Sequence, residues 1–194
     1  MKTVFFDIDT QLDFMVPAGA LYVPGAESTL DRIAVLNRYA ASRGSPVIST
    51  ADAHSEDDLE FKVWPHHCVA GTVGQQKCAV TLLEKRLVIP NAACTPAIAG
   101  MQQIVIEKQT IDVFSNVNLP AILNELGAHR YVVYGVVTEI CVTTAVAGLL
   151  KTGARVEVVT DAVRSLSEEA GAKALAEFAV AGCTLTTVSR TLEA

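Results

Sequence analysis

The sequence predicts a doubly wound α/β fold, with three layers (α/β/α) built on a mainly parallel sheet of about six strands. Short, nearly continuous apolar runs recur along the chain, and longer stretches of helical period lie between several of them. Together these imply a parallel sheet buried on both faces. Composition agrees: 51% hydrophobic and 19% charged residues over 194 positions can fill one sizeable core, which excludes disorder. The chain is too short for two ordinary domains and reads as one, over residues 1–194.

The first predicted strand is 3–9 (TVFFDID), followed by a helix over 26–42 and a strand at 46–52 (PVISTAD). Residues 53–99 form a long irregular region rich in His, Pro, Gly and Cys, and a loop of that length is usually functional. Further strands fall at 103–107 (QIVIE), 131–137 (YVVYGVV), 156–160 (VEVVT) and 184–188 (TLTTV). Helices are predicted over 119–126, 141–150 and 167–181. The last opens Ser167-Glu168-Glu169, with acid in the first turn where the helix dipole favours it.

Fifteen Lys and Arg against 21 Asp and Glu give a net charge of −6. With no Lys/Arg run, the chain lacks the footprint of a nucleic-acid or anionic-membrane binder. No apolar stretch approaches the ~20 residues of a membrane span, and the N-terminus shows no cleavable signal pattern. The five cysteines are odd in number, widely spaced and without a Cys-x-x-Cys pair. They read as free thiols of a cytoplasmic protein.

Open α/β sheets bind ligands at the carboxyl ends of their strands, and four predicted strand ends carry reactive groups: Asp9, Asp52 with His54, Lys108 and Cys141. Each has a bland reading, since Asp and Lys are mostly solvated and a lone Cys is mostly a small buried hydrophobe. Their coincidence at one edge argues for chemistry. Cys141 opens the apolar helix CVTTAVA. There the dipole would lower its pKa and backbone N–H groups could bind an oxyanion.

Asp52-Ala53-His54 sets a carboxylate and an imidazole on one side of an extended segment, and His67 in Trp64-Pro65-His66-His67-Cys68 offers a third ligand. Three ligands leave coordination positions open, as in a catalytic site. Mixed O/N ligation suits Zn²⁺, with Fe²⁺ or Mn²⁺ as alternatives. Glu60 is a weaker fourth ligand. A rival reading starts from Asp7-Ile8-Asp9, the Asp-x-Asp opening of haloacid-dehalogenase-type phosphatases. Gln11 departs from that motif, and only Asp161 stands where its late acidic magnesium motif belongs.

Asp9-Thr10-Gln11-Leu12-Asp13-Phe14, Thr50-Ala51-Asp52-Ala53-His54, Glu107-Lys108 and Gly135-Val136-Val137-Thr138-Glu139-Ile140-Cys141 together resemble the isochorismatase-like cysteine hydrolases. The Asp-x-His and Trp-Pro-x-His-Cys elements are similar to the zinc-dependent nicotinamidase branch. The resemblance implies that Asp9, Lys108 and Cys141 are catalytic and that an amide is hydrolysed through a thioester. It implies an oxyanion held by the backbone N–H groups of Val137 and Cys141, beside a cis Val136–Val137 bond. It also implies a metal at Asp52, His54 and His67, with Glu60 matching a ligand used by some members. That ion orients the pyridine nitrogen of the substrate. Phe14, Trp64 and Phe114 match positions whose rings pack around the substrate, although large rings are equally expected in a core.

Three departures bear on specificity: Asp7 replaces an apolar residue, Ala53 stands where many members have Trp, and 109–116 lacks the usual wording. By alternation Asp7 shares a face with Asp9 and is placed to perturb its pKa. The expectation is a metal-dependent hydrolase converting nicotinamide to nicotinate and ammonia. The alternatives are a sibling acting on another small amide or ureido compound, an inactive metal-binding member, or the phosphatase. Members are usually oligomers, so a homo-oligomer is expected, with a small-molecule amide as the other partner.

Overall fold

Period-two burial accounts for the sheet. In β1 (Thr3–Ile8), Val4, Phe6 and Ile8 enter one apolar cluster while Phe5 enters the other, as alternate residues must when both faces are covered. The structure, a computed structural model, describes residues 2–193. α1 (Leu12–Met15) and α2 (Leu30–Ser42) follow β1, and then β2 (Val47–Asp52), β3 (Arg86–Ile89) and β4 (Gln103–Lys108). Next come α3 (Leu119–Leu126), β5 (Arg130–Val136), α4 (Thr143–Leu150), β6 (Arg155–Arg164), α5 (Glu168–Val180), β7 (Thr184–Thr186) and α6 (Val188–Glu193). The strands form one seven-stranded sheet in the order β3-β4-β2-β1-β5-β6-β7, and every neighbouring pair is parallel. α3, α4 and α5 contribute to the cluster on one face, whereas α1 and α2 contribute to that on the other. The three-layer, doubly wound expectation holds.

The seventh strand corrects the expected count of about six. β3 lies inside the stretch read as irregular, is only four residues long and is half exposed. Such an edge leaves no clear alternation in the sequence. Its strand geometry comes from pairing with β4, where Arg86 faces Gln103 and Ile89 faces Ile106. Helix ends follow local chemistry. The Ser167 hydroxyl accepts from Ala170 N at the start of α5. Gly127 closes α3 in the left-handed region.

β6 runs on to Arg164, past the expected end at 160, because its register against β5 shifts between Val133 and Gly135. Gly135 has φ +115°, and a Cβ there would strike the backbone of Ile8. Only glycine lets β5 lie this close to the end of β1. Among the described residues no helix is long and apolar enough to cross a membrane.

Candidate active site

The site begins where β1 breaks. Asp9 has φ +48°, a conformation that costs a non-glycine residue free energy. This left-handed step separates Asp9 from Asp7, which corrects the expectation that Asp7 shares a face with Asp9 and perturbs its pKa. Asp7 stays on the α2 side, fully buried, where it accepts from Thr10, Ser49 and Asn37 and lies 3.4 Å from Lys77. Asp9 turns toward the ends of β2 and β4. Its N–H donates to Thr50 Oγ1 at 3.0 Å, and the Thr50 hydroxyl donates back to Asp9 Oδ1. The two acids therefore do not form a phosphatase-type pair.

Lys108, the last residue of β4, points its ammonium into the gap between three groups. It lies 3.0 Å from Asp9 Oδ2, bonds Asp52 Oδ1 and lies 3.8 Å from Cys141 Sγ. Asp9, Lys108 and Cys141, three residues separated widely in sequence, thus meet. Asp9 Oδ2 has no aligned hydrogen bond among the described residues, which leaves a lone pair for a proton. Burial raises the pKa of the Asp9 carboxyl against the pull of Lys108, and Asp52 raises it further. Asp52 behaves oppositely: burial would raise it, but Lys108 and the two imidazoles hold it below the usual carboxylate range. Burial works to neutralise Lys108, but the carboxylates of Asp52 and Asp9 outweigh it and keep the ammonium charged.

Cys141 departs from its expected environment. It sits in a π turn, Thr138–Val142, one turn ahead of α4 rather than as the first residue of the α-helix. Burial pushes its thiol well above its ordinary pKa, and Asp9 and Asp52 add to the rise against Lys108. The resting sulfur therefore holds its proton; the dipole does not outweigh the loss of water and two nearby carboxylates. The Val136–Val137 peptide is cis, as the sequence resemblance implied.

Asp52, His54 and His67 form a buried cluster whose candidate ligand atoms all lie within 4.8 Å of one another. His54 Nδ1 bonds Asp58 at 3.0 Å and His67 Nδ1 bonds the Pro65 carbonyl at 2.7 Å. Their Nε2 atoms face Asp52 Oδ2, each at 3.7 Å. His54 Nε2 is buried with no hydrogen-bond partner among the described residues. Rings held through Nδ1, with Nε2 turned toward a shared carboxylate oxygen, fit a divalent cation. The donor set suits Zn²⁺, Fe²⁺ or Mn²⁺.

Distant parts of the chain hold this arrangement. The Gln11 side chain makes a two-way pair with the backbone of Asp52, at 2.8 and 2.7 Å. Asp13 in α1 accepts from Cys68 N at 2.6 Å and so fixes the residue after His67. The Phe61 ring packs against His54, His66 and His67.

A cleft opens beside Cys141, lined by Phe14, Leu21, Val23, Glu60, Trp64, Ile111, Val137, Ile140 and Leu166. Phe14 and Trp64 thus line the cleft that holds Cys141. Phe114 does not line it: its ring packs on α4 at Gly148, a contact a side chain there would prevent. The residue that reaches the cleft from this segment is Ile111. Glu60 lies outside the three-residue cluster; it is a half-buried wall of the cleft whose carboxyl is raised by burial and by Asp52. Sequence reasoning overlooked Asp58, Thr50, Phe61, Ile111 and Leu166. The run Glu56-Asp57-Asp58 hinted at a carboxylate near His54, but spacing alone does not say which acid turns inward.

Residues 3–190 match the Isochorismatase domain family. The nicotinamidase of Escherichia coli (strain K12) is 26% identical over 203 residues, covering 94% of this chain and 93% of that protein. The crystal structure of a pyrazinamidase of Pyrococcus horikoshii in complex with zinc superposes with a TM-score of 0.80 at 26% identity, over 96% of this chain and 99% of that one. A pyrazinamidase/nicotinamidase of Streptococcus mutans UA159 gives a TM-score of 0.81 at 27% identity, over 95% and 99%.

Proposed function

The chain belongs to the isochorismatase family as an amidohydrolase, and from that premise we propose that it converts nicotinamide to nicotinate and ammonia. The observation that carries this reading is the meeting of Asp9, Lys108 and Cys141 at an apolar cleft beside Asp52, His54 and His67. The nicotinamidase and pyrazinamidase relatives support the same substrate class.

In this reading Asp9 is the proton acceptor. Its Oδ2, which lacks an aligned hydrogen bond, takes the thiol proton as the Cys141 sulfur bonds to the amide carbon. The carbonyl oxygen gathers the negative charge, and the backbone N–H groups of Val137 and Cys141 stabilise it. As the C–N bond breaks, Asp9 returns the proton to the departing ammonia, leaving a thioester on Cys141. Asp9 then takes a proton from water as its oxygen bonds to the thioester carbon, and returns that proton to the departing Cys141 sulfur as the acid is released. Lys108 stays charged throughout and holds the Asp9 and Asp52 carboxylates around the sulfur. Asp52, His54 and His67 would hold a zinc ion, which supplies a Lewis-acidic anchor for a ring nitrogen. The rings of Phe14 and Trp64 face the cleft that an aromatic amide would fill.

The second reading is a sibling hydrolase acting on a ureido acid. No basic side chain lines the cleft among the described residues, and Glu60 brings a carboxylate to its wall. An apolar cleft with that charge disfavours a substrate carrying its own carboxylate. Ammonia release from nicotinamide is expected to exceed that from an N-carbamoyl amino acid by at least about 100-fold in kcat/KM, the size of one unpaired buried charge. Equal turnover of both, or release only from the ureido acid, would reverse the order of the two readings.

A further inference from the structure

Beneath the catalytic Lys108 lies a second buried lysine for which the reaction has no use. Lys77 comes from the segment after the metal loop, pairs as an isolated antiparallel bridge with Gln11 and is 8% exposed. Its ammonium donates to the carbonyl of Thr50 at 3.1 Å and lies 3.4 Å from Asp7 Oδ2.

The ladder between β1 and β2 explains what that carbonyl lacks. Phe5 N donates to the Pro46 carbonyl at 3.0 Å. Each two-residue step in a parallel pair repeats this pattern, so Asp9 N belongs on the Thr50 carbonyl. It is not there. At the left-handed Asp9 the N–H lies on the Thr50 hydroxyl instead, and that hydroxyl donates to the Asp9 carboxylate. A buried strand carbonyl left without a donor would pull Asp9 back into the ladder. Lys77 supplies the missing donor.

We propose that Lys77, held by Asp7, is a positioning residue for Asp9: it takes over the Thr50 carbonyl so that Asp9 can leave the strand and face Cys141. This rests on the reading of Asp9 as the proton acceptor. Asn37, Ser49, Thr10 and Tyr134 complete the pair's surroundings on the α2 side.

The test compares the zinc-loaded wild type with Asp9→Asn, with the paired change Asp7→Val and Lys77→Met, and with all three changes together. Replacing both charges by apolar groups avoids stranding one of them, and thermal melting checks that the fold is kept. Iodoacetamide labelling of Cys141, followed by mass spectrometry across pH, reports whether a carboxylate faces the thiol. Asp9 raises the thiol pKa, so Asp9→Asn is expected to move the labelling midpoint down by about half a pH unit or more. The paired change should move it in the same direction by a similar amount, and adding Asp9→Asn to it should move it no further. Ammonia release from nicotinamide should meanwhile fall at least about tenfold in kcat with KM little changed. A midpoint that stays at the wild-type value in the paired variant, with Asp9→Asn shifted, overturns this inference alone. If Asp9→Asn also leaves the midpoint in place, the proton-acceptor reading falls and this inference with it.

Discussion

Cys141→Ala protein is expected to lose amide hydrolysis by on the order of 10⁴-fold or more, while keeping its fold and its metal. A nucleophile that forms the covalent intermediate leaves only residual catalysis when it is removed. The substitution deletes one sulfur from a buried turn and disturbs neither Lys108's bond to Asp52 nor its approach to Asp9. Wild-type and variant protein should therefore melt within a few degrees of each other and hold equal zinc. Ammonia release from nicotinamide under single-turnover conditions is the decisive measurement. Activity retained within tenfold would mean that the sulfur is not the nucleophile and that water attacks the amide directly. A phosphatase working from Asp7 and Asp9 would likewise be indifferent to the change. The inactive-member reading differs again, because it expects no ammonia from the wild type.

The acid side of the pH profile follows from the same geometry. On the proposed mechanism Asp9 must be ionised to take the thiol proton, and its pKa is raised from 3.8 by burial and by Asp52. Activity is thus present above the raised value and lost as pH falls through it. The acid limb of kcat/KM is expected above pH 3.8 and should vanish as a distinct limb in Asp9→Asn, whose residual rate lacks that base.

His54→Ala is expected to have the second largest effect. Removing one of three proposed ligands from a site in which two imidazoles face a single carboxylate oxygen should lower zinc content from about one ion per chain to near zero at submicromolar free zinc. Turnover of nicotinamide should drop at least about 100-fold, while the circular dichroism spectrum is unchanged. Asp58→Ala probes the support behind the ligand, since Asp58 fixes His54 through Nδ1. Such supporting partners are worth about 10- to 100-fold in metal affinity. Full activity in metal-free His54→Ala protein would overturn the metal role and leave the cysteine chemistry standing.

Much of this was legible before any coordinates. That TVFFDI, VISTAD and RYVVYGV are covered on both faces is written in their largely apolar runs, with polar residues gathered toward the carboxyl ends of the first two. The side chains at the strand ends were legible for the same reason: a parallel sheet collects its carboxyl ends at one edge, so Asp9, Asp52, Lys108 and Cys141 had to come near one another. β3 was not legible, since a half-exposed four-residue edge takes its conformation from the neighbour it pairs with.

By itself, the sequence determined the layers, the edge that carries the site and the residue types that gather there. Only the tertiary structure decided how those residues share charge and which face each one takes. Alternation placed Asp7 beside Asp9, but a single left-handed residue parted them and gave each its own lysine. Helix position promised a thiolate at Cys141; burial between two carboxylates kept the proton on sulfur. The family resemblance nominated Phe114 for the cleft, yet packing against Gly148 turned it into a wall of the α4 layer. In each case the deciding quantity is a distance or a loss of water fixed by segments far apart in the chain. Local patterns encode periodicity and propensity; they do not encode which buried charge lies opposite which.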